Sequence, residues 1–432
     1  MRRNIVSVGA GQLKYEIREI VEIAKQLSSM GMEIIYENIG DPVNKGESVP
    51  EWIKEKVLGL AGIDNSYCYA DTQGEPETRA FLADIINKRG GCRVTMDDII
   101  FFNGLGDAVG KIFGFLRREA RVIGPTPAYS TLSSAEASHS GYEHLTYELD
   151  PDNKWMPNIE DLENKIRYNP SIAGILLINP DNPTGAVYPE PVLTAMIDLA
   201  REYDLFVVCD ETYTHVVYDQ KDKIHLSEII GDVPALSLRS ISKEYPWPGA
   251  RCGWLEVFNK EKDPEFSRYI QSLIDAKRLE VCSTTLPQMS IPEVYSDPRY
   301  CEHLKQRNAV FAERAEEAFQ FFSNINGIKV NKPKGAFYMT ILFEEGVLNN
   351  RQYLNIQNPE VKSFIERLTK DVAPDKRFIY YLLGAEGICA VPLTGFCSTR
   401  EGFRITLLET DNEKRKKTWE SIQRSITSYL SS

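Results

Sequence analysis

The chain has 432 residues, of which 42% are hydrophobic and 26% are charged, and its formal net charge is −12. This length predicts about two or three domains with enough chain to bury a core. The acidic balance disfavours a general binding surface for nucleic acids or anionic membranes, because both are negatively charged. We therefore expect any basic residue that takes part in chemistry to lie in a local pocket.

The sequence shows no pattern of secretion, membrane insertion or zinc binding. The stretch MRRNIVSVGAGQLKYEIREIVEIAKQL lacks the apolar core of a signal peptide, and from Lys14 onward it predicts an amphipathic helix. No apolar run approaches the length of a membrane span. The eight cysteines are scattered without a C-x-x-C pair, and the five histidines form no H-E-x-x-H motif. These features predict a cytoplasmic protein without a metal site.

Through the middle of the chain, short apolar runs alternate with longer helical patterns. The apolar runs are DDIIFFNG (97–104), ARVIGPTP (120–127), IAGILLINP (172–180), LFVVCDE (205–211), ALSLRSISK (235–243) and RCGWLEVF (251–258). Helical patterns such as DAVGKIFGFLRREA (107–120) and PEPVLTAMIDLAREY (189–203) lie between them. This alternation predicts an α/β fold with a mostly parallel sheet covered by helices on both faces.

The tail of the chain has a different pattern. A long charged helix around 302–322 is followed by the strand-like stretches GIKVNKPKGAFYMTILF (327–343), GICAVPL (387–393) and FRITLLE (403–409). These features predict a smaller α+β unit with antiparallel strands, and we expect the N-terminal segment to join it. The predicted division is a large domain at 46–300 and a small domain formed by 1–45 and 301–432.

Polar residues follow three neighbouring strands of the predicted sheet, at the edge where open α/β sheets bind ligands. Asn182 follows IAGILLINP, Asp210 and Tyr213 end LFVVCDETY, and Ser240 and Lys243 end ALSLRSISK. Each has an ordinary alternative, since DNPTG is good turn chemistry, Asp210 could cap a helix, and lysines are usually exposed. Their coincidence at strand ends indicates a shared ligand.

Pyridoxal phosphate is a ligand that needs this set. Its aldehyde forms a Schiff base with a lysine amine, for which Lys243 is the candidate. Its ring nitrogen stays protonated beside a carboxylate, which Asp210 can supply. Its phenolic oxygen accepts hydrogen bonds, which Asn182 and Tyr213 can donate.

The cofactor's phosphate requires a second group of donors. Arg251, eight residues after Lys243, offers a guanidinium, and Ser240 offers a hydroxyl. The turn NGLGDA (103–108) adds backbone N–H groups at Leu105 and Gly106, because glycines let the backbone approach an anion at a helix N-terminus.

Eight short sequence motifs are spread over most of the chain. They are NIGDP (38–42), YADTQGEPETR (69–79), NGLGDA (103–108), PTPAY (125–129), NPDNPTG (179–185), DETY (210–213), SISK (240–243) with Arg251, and FRIT (403–406). The chain resembles the class I/II aminotransferases, which are fold type I pyridoxal-phosphate enzymes, and it looks most like their alanine aminotransferase-like members. The resemblance implies a large cofactor domain with a sheet of the roughly seven-stranded type and a smaller α+β domain.

The resemblance also implies roles for further residues. Tyr129 is expected to stack on the pyridine ring. Tyr69 is expected to reach the phosphate in the partner subunit, which makes the working unit a homodimer. Arg404, together with Asn182, is expected to bind the substrate's α-carboxylate, with the backbone of Gly40 close by. The implied reaction is a two-stage exchange in which Lys243 acts as general base and an amino acid and a 2-oxo acid are the substrates.

Departures from the family pattern affect substrate choice. Gly106 stands where the phosphate turn usually has Ser, Thr or Lys, and Leu132 stands where a second aromatic residue is common. Leu279 stands where aspartate-specific members have an arginine, although Arg278 is adjacent. Because a buried side-chain carboxylate needs a second cation, these positions predict a neutral donor, alanine or a larger apolar amino acid.

Other functions remain open at this level. An aspartate or aromatic aminotransferase, a C–S lyase, a decarboxylase or an aminocyclopropane-type synthase could share the same cofactor residues. A nicotinamide dehydrogenase is disfavoured, because GLGDAVG has the wrong glycine spacing and no acidic residue ends the next strand. An effector-sensing module of a transcription regulator is disfavoured by the lack of a basic helix-turn-helix segment.

Overall fold

The computed structural model describes residues 5–13 and 16–432. The strands are β1 (Ile35–Tyr36), β2 (Ile99–Phe102), β3 (Arg121–Thr126), β4 (Thr146–Asp150), β5 (Met156–Pro157), β6 (Ile172–Ile178), β7 (Phe206–Asp210), β8 (Ala235–Ser240), β9 (Gly253–Phe258), β10 (Ile328–Val330), β11 (Tyr338–Phe343), β12 (Ile388–Cys389), β13 (Val391–Pro392) and β14 (Gly402–Thr406). The α-helices are α1 (Glu16–Ser29), α2 (Glu51–Ala61), α3 (Pro76–Arg89), α4 (Leu105–Gly114), α5 (Ser130–Ser140), α6 (Ile159–Tyr168), α7 (Glu190–Glu202), α8 (Leu226–Ile229), α9 (Pro264–Glu280), α10 (Thr285–Tyr295), α11 (Arg299–Phe322), α12 (Pro359–Leu368), α13 (Pro374–Glu386) and α14 (Asn412–Leu430).

The large sheet has the strand order β2-β9-β8-β7-β6-β3-β4-β5. Four pairs of neighbouring strands are parallel: β8–β7, β7–β6, β6–β3 and β3–β4. The other three pairs, β2–β9, β9–β8 and β4–β5, are antiparallel. This confirms the predicted α/β fold. The sheet has eight strands rather than seven, and its last strand is the two-residue β5, whose Pro157 is suited to an edge because proline cannot donate a ladder hydrogen bond.

The alternation of side chains along β6 builds a separate core on each face of the large sheet. Ile175 and Leu177 belong to one buried apolar cluster. Leu176 and Ile178, which point the other way, belong to a second cluster. Both faces are therefore covered, which explains why this strand reads as a continuous apolar run.

The smaller sheet has the order β10-β11-β14-β13, and all its pairings are antiparallel. This confirms the antiparallel strands expected in the tail. Arg404 lies on the central strand β14, opposite Thr340 of β11 and Val391 of β13. The register therefore holds the Arg404 backbone between two neighbouring strands.

The N-terminal segment contacts the tail of the chain. Strand β1 pairs in parallel with β12, and Ile20 and Ala24 of α1 lie in the same apolar cluster as Phe322 and Met339. The helix predicted from Lys14 begins at Glu16 among the described residues, and Lys14 itself lies outside them. The apolar stripe of α1 thus packs on the smaller sheet's core.

Helix α11 contributes residues to the apolar cores of both sheets. Tyr300, near its start, belongs to a core of the large sheet, whereas Ala315 and Phe322 belong to the core of the smaller sheet. The helix therefore forms a continuous connection of 24 residues between the two sheets.

Two features are absent from residues 5–13 and 16–432. None of the helices there combines the length and apolar character needed to cross a membrane. No group of three or more His, Cys, Asp or Glu side chains is arranged there to hold a metal ion.

Candidate active site

The polar residues predicted at the strand ends lie at one edge of the large sheet. Asp210 is the last residue of β7 and Ser240 is the last residue of β8, while Asn182 follows β6 by four residues. Strands β6, β7 and β8 are neighbours and parallel. Their carboxyl ends therefore meet at one edge, as the sequence predicted.

Lys243 lies in the turn after β8, and its Nζ donates a hydrogen bond to the carbonyl of Gly40 at 2.6 Å. Burial lowers the pKa of Lys243 to about 8, and the positive charges of Arg251 and Arg404 add to this shift while Asp41 opposes it. An amine with a pKa near 8 is partly neutral at physiological pH. That is the state a lysine needs for nucleophilic attack on an aldehyde.

The buried carboxylate of Asp210 accepts hydrogen bonds from the backbone N–H of Thr212 at 3.0 Å and from its hydroxyl at 2.5 Å. Burial raises the pKa of Asp210, while the Thr212 hydrogen bonds and the positive charge of Lys243 oppose the rise. A buried carboxylate of this kind is stabilised by a cation placed against it. The protonated ring nitrogen of pyridoxal phosphate fits that requirement.

Arg404 is only 1% exposed and its guanidinium is held on several sides. One terminal nitrogen donates to Oδ1 of Asn182 at 2.9 Å and the other donates to the backbone carbonyl of Asn38. The guanidinium carbon lies 4.3 Å from the ring centre of Tyr338 and 5.0 Å from that of Phe396. Its buried Nε has no hydrogen-bond partner among the described residues, so a planar carboxylate would satisfy a group that is otherwise costly to bury.

Two tyrosines complete this part of the site. Tyr213 is buried and its hydroxyl oxygen lies 2.8 Å from that of Tyr338. Burial, together with Tyr338 and Tyr129, raises the pKa of Tyr213, so the phenol remains a neutral donor at physiological pH. Tyr129 immediately precedes α5 and packs against both cores of the large sheet.

The hydroxyl of Ser240 is fixed within the turn that leads to Lys243. Its Oγ lies 2.7 Å from Oγ of Ser242 and 3.1 Å from the carbonyl oxygen of Cys252, and it accepts a hydrogen bond from the Ser242 backbone N–H. The structure therefore places two serine hydroxyls side by side next to the lysine.

Arg251 lies against the turn that precedes α4. Its backbone is left-handed, with φ of 49°, and its guanidinium donates to the carbonyl of Pro248 at 3.1 Å. A Cβ at Gly104 would lie 2.2 Å from a terminal nitrogen of Arg251, so the guanidinium packs directly on the glycine. The first helical residues, Leu105 and Gly106, follow at once, and a Cβ at Gly106 would meet nothing within 4 Å. A guanidinium beside a helix N-terminus is an arrangement that fits a phosphate.

Gly40 and Tyr69 differ in their placement. A Cβ at Gly40 would lie 1.9 Å from the Tyr338 hydroxyl oxygen, so only glycine fits beside the lysine. The side chain of Tyr69 is 83% exposed, and the carbonyl of the preceding Cys68 accepts a hydrogen bond from the Thr285 hydroxyl at 2.7 Å. Tyr69 is thus presented outward, and its expected role in a partner subunit stays a prediction.

Sequence reasoning missed Tyr338 and Asn38 as site residues. Asn38 lies within the NIGDP motif, which was noted only for Gly40. Tyr338 is two residues from Thr340, the residue opposite Arg404, so the two side chains are diagonal neighbours on one face of the β11–β14 pair. The sequence holds no signal for this register, because strand pairing depends on residues far apart in the chain.

Comparison with known proteins shows the family and the fold of the chain. A family model described as aminotransferase class I and II matches residues 37–422. An uncharacterized aminotransferase of Methanocaldococcus jannaschii is 53% identical over 430 residues, covering 100% of both chains. Alanine aminotransferase of Mycobacterium tuberculosis is 30% identical over 327 residues, which is 75% of each chain. The solved structure of alanine aminotransferase from Pyrococcus furiosus superposes with a TM-score of 0.84 at 25% identity, covering 99% of this chain and 100% of that one.

The fold and the residues at its sheet edge thus define a transaminase of fold type I. The chain belongs to the class I and II aminotransferases. Enzymes of this fold type use pyridoxal phosphate, and the Lys243, Asp210 and Arg251 positions fit its aldehyde, ring nitrogen and phosphate.

Proposed function

We propose that this aminotransferase binds pyridoxal 5'-phosphate and moves an amino group between a neutral amino acid and a 2-oxo acid. The amino acid is alanine or a larger apolar one. The observation that carries the proposal is the partly buried Lys243 amine, which donates a hydrogen bond to the Gly40 carbonyl at 2.6 Å and lies in the electrostatic field of Arg251 and Arg404. One arginine suits the cofactor's phosphate and the other suits the substrate's carboxylate.

The residues around Lys243 hold the cofactor in one orientation. Asp210 keeps the proton on the ring nitrogen, while Asn182 and Tyr213 donate to the phenolic oxygen. Tyr129 stacks on the ring. The bound pyridoxal phosphate supplies an electron sink for the negative charge that develops at the substrate α-carbon.

A second group of donors holds the phosphate. These are the guanidinium of Arg251, the hydroxyl of Ser240 and the backbone N–H groups of Leu105 and Gly106, with Tyr69 contributed by a partner subunit. Their convergence at the start of α4 adds the favourable end of the helix dipole.

Lys243 and Arg404 act on the substrate. The Nε of Arg404 and the amide of Asn182 bind the α-carboxylate, with the backbone of Gly40 alongside. The Lys243 amine would take the proton from the substrate α-carbon as a general base and release it again as a general acid. A second 2-oxo acid reverses the path.

The preference for a neutral donor rests on the residues that could supply a second cation. Gly106 provides no side chain, and Leu279 is 90% exposed. Arg278 lies on the surface of α9 and donates to Asp275 at 2.6 Å. The alanine aminotransferase named among the relatives points in the same direction.

We further propose that the working unit is a cytoplasmic homodimer without nucleic-acid or membrane partners. The support is the outward position of Tyr69 and the net charge of −12.

Cofactor binding is tested with a matched pair of lysine variants. Purified protein supplied with pyridoxal phosphate should be yellow, and Lys243→Ala should abolish the absorbance band. Lys223→Ala is the control, because burial also lowers the pKa of Lys223 to about 8. The Lys223 Nζ, however, lies 3.1 Å from Nδ1 of His215 rather than beside Gly40. Borohydride trapping and peptide mapping should label Lys243 alone. A protein that stays colourless with pyridoxal phosphate would contradict the proposal.

The substrate is tested by comparing kcat/KM for alanine, leucine, phenylalanine and aspartate, with pyruvate and 2-oxoglutarate as acceptors. We expect a neutral donor to be preferred. If aspartate is preferred by about tenfold or more, roughly 1.4 kcal/mol, the neutral-donor assignment is wrong and Arg278 becomes the first residue to substitute. A separate assay with a cysteine thioether as substrate tests for a C–S lyase, which would form a thiol, ammonia and pyruvate without exchange of the amino group.

A further inference from the structure

Tyr338 is a buried tyrosine at the start of β11 that makes contacts with several residues of the site. It is 3% exposed, and its hydroxyl oxygen lies 2.8 Å from that of Tyr213. The two rings meet edge to face, with centres 5.7 Å apart and planes at 80°. The hydroxyl of Tyr338 is therefore directed at the residue proposed to bind the cofactor's phenolic oxygen.

The position of the Tyr338 hydroxyl is tightly constrained. The Arg404 guanidinium lies over its ring at 4.3 Å from the centre, a favourable cation–π distance. On another side the hydroxyl approaches Gly40 so closely that a Cβ there would lie 1.9 Å from it. The backbone carbonyl of that same glycine accepts the hydrogen bond from Lys243. The hydroxyl thus has little freedom to leave Tyr213.

When pyridoxal phosphate is bound, the number of protons that each hydroxyl can donate decides which of the two tyrosines is the donor. A tyrosine hydroxyl has one proton to donate and also accepts, and either member of the Tyr213–Tyr338 pair could be the donor. The phenolic oxygen of pyridoxal phosphate carries negative charge, so it accepts the Tyr213 proton more strongly than a neutral hydroxyl does. Tyr213 then has only its lone pairs for Tyr338, and Tyr338 must be the donor.

We propose that Tyr338 is a positioning residue that donates its hydroxyl proton to Tyr213 and thereby directs the Tyr213 proton to the phenolic oxygen of the cofactor. This inference rests on the proposed function, since it requires pyridoxal phosphate at Lys243. Because Tyr338 lies on β11, a residue of the smaller sheet would influence the charge on a cofactor that is held at the edge of the large sheet.

The visible absorbance of the protein with bound pyridoxal phosphate can be measured without catalytic turnover. This absorbance changes as the nitrogen that Lys243 contributes to the cofactor gains or loses a proton. A hydrogen bond donated to the phenolic oxygen stabilises its negative charge and weakens its hold on that proton. Loss of the Tyr338 hydroxyl should therefore move the midpoint of the absorbance titration to higher pH, by about half a unit to one unit for one neutral hydrogen bond.

The test compares the absorbance titrations of wild type, Tyr338→Phe, Tyr213→Phe and the double variant. We expect both single variants to have raised midpoints and the double variant to match Tyr213→Phe, because Tyr338 acts through Tyr213. Tyr218→Phe is the control. Its hydroxyl donates to the Ala336 carbonyl at 2.9 Å beside the same cluster, so its loss should leave the midpoint unchanged.

An unchanged midpoint in Tyr338→Phe, or additive shifts in the double variant, would overturn the inference. If Tyr338→Phe does not fold, Tyr338→Met takes its place, because methionine adapts to a buried apolar site and also lacks the hydroxyl; a midpoint at the wild-type value would again contradict us. A wild-type protein that gains no colour with pyridoxal phosphate would instead disprove the proposed function, so the two failures are distinguishable.

Discussion

Arg307, on helix α11, donates a hydrogen bond to the backbone carbonyl of Lys243. It also donates to the carbonyl of Glu244 at 3.3 Å and forms an ion pair with the carboxylate of Glu47. Both members of the ion pair are largely buried. The backbone of the lysine is therefore held by a helix that packs on both sheets, and the position of the amine depends on that helix.

The variant Arg307→Met tests whether Arg307 positions Lys243 in addition to stabilising the fold. The variant leaves two carbonyls and Glu47 without a partner, so we expect the free energy of unfolding to fall by about 1–3 kcal/mol. We also expect kcat to fall by about three- to tenfold, because Lys243 is less well positioned. Urea denaturation and steady-state kinetics measure the two effects.

Arg314→Met is the matched control for Arg307→Met. Arg314 lies on the same helix and also donates to two backbone carbonyls, those of Leu407 at 3.0 Å and Leu408 at 3.2 Å. It should cost similar stability and leave kcat near the wild-type value. Equal losses of kcat in both variants would show that Arg307 has no special effect on Lys243.

Gly104 and Gly106, in the turn that leads into α4, are expected to respond differently to substitution by alanine. Gly104→Ala forces a side chain into φ of 82° and places Cβ against the Arg251 guanidinium, so the dissociation constant for pyridoxal phosphate should rise by about tenfold or more. Gly106→Ala meets nothing within 4 Å in the first turn of α4, so affinity should not change and helix stability should rise by about 0.5–1 kcal/mol. Absorbance titrations with the cofactor measure both affinities, and equal effects would refute the assignment of the turn.

A homodimer with shared sites predicts complementation between two inactive variants. Tyr69→Ala and Lys243→Ala should each be weakly active or inactive alone. After random mixing, half of the dimers are hybrids and each hybrid has one intact site of two, so activity should return to about a quarter of the wild-type value. No recovery in a mixture that sedimentation shows to contain hybrids would exclude Tyr69 from the partner's site.

The ionisation of Asp181 should make the free energy of unfolding depend on pH. Burial raises its pKa from 3.8 to about 7, with Asp210 adding to the rise and two hydrogen bonds from Thr184 opposing it. A pKa raised by folding means that stability present at low pH is lost as the pH rises, here by about 2–3 kcal/mol between pH 5 and 7. Asp181→Asn keeps an acceptor for Thr184 and cannot ionise, so its urea midpoint should fall less over this range. Parallel curves for both proteins would contradict the assignment.

The parts of this protein that could be predicted from its sequence depend on residues close together in the chain. Alternating apolar runs and helical patterns predicted the α/β fold, and the structure confirms it. The polar residues after β6, β7 and β8 could be recognised as one candidate site, because parallel neighbours bring their carboxyl ends to one edge. The short edge strand β5 was not predicted, since a two-residue strand leaves no periodic pattern.

The sequence by itself determined the fold class, the candidate lysine and the candidate phosphate-binding arginine eight residues later. Only the tertiary structure decided that Tyr338 contacts Tyr213 across 125 residues and that Arg307 holds the Lys243 backbone across 64. Local propensities and turn chemistry act over a few residues and so leave a pattern in the sequence. Contacts between distant segments depend on strand register and helix packing, which are decided by the burial of whole elements and leave no local pattern.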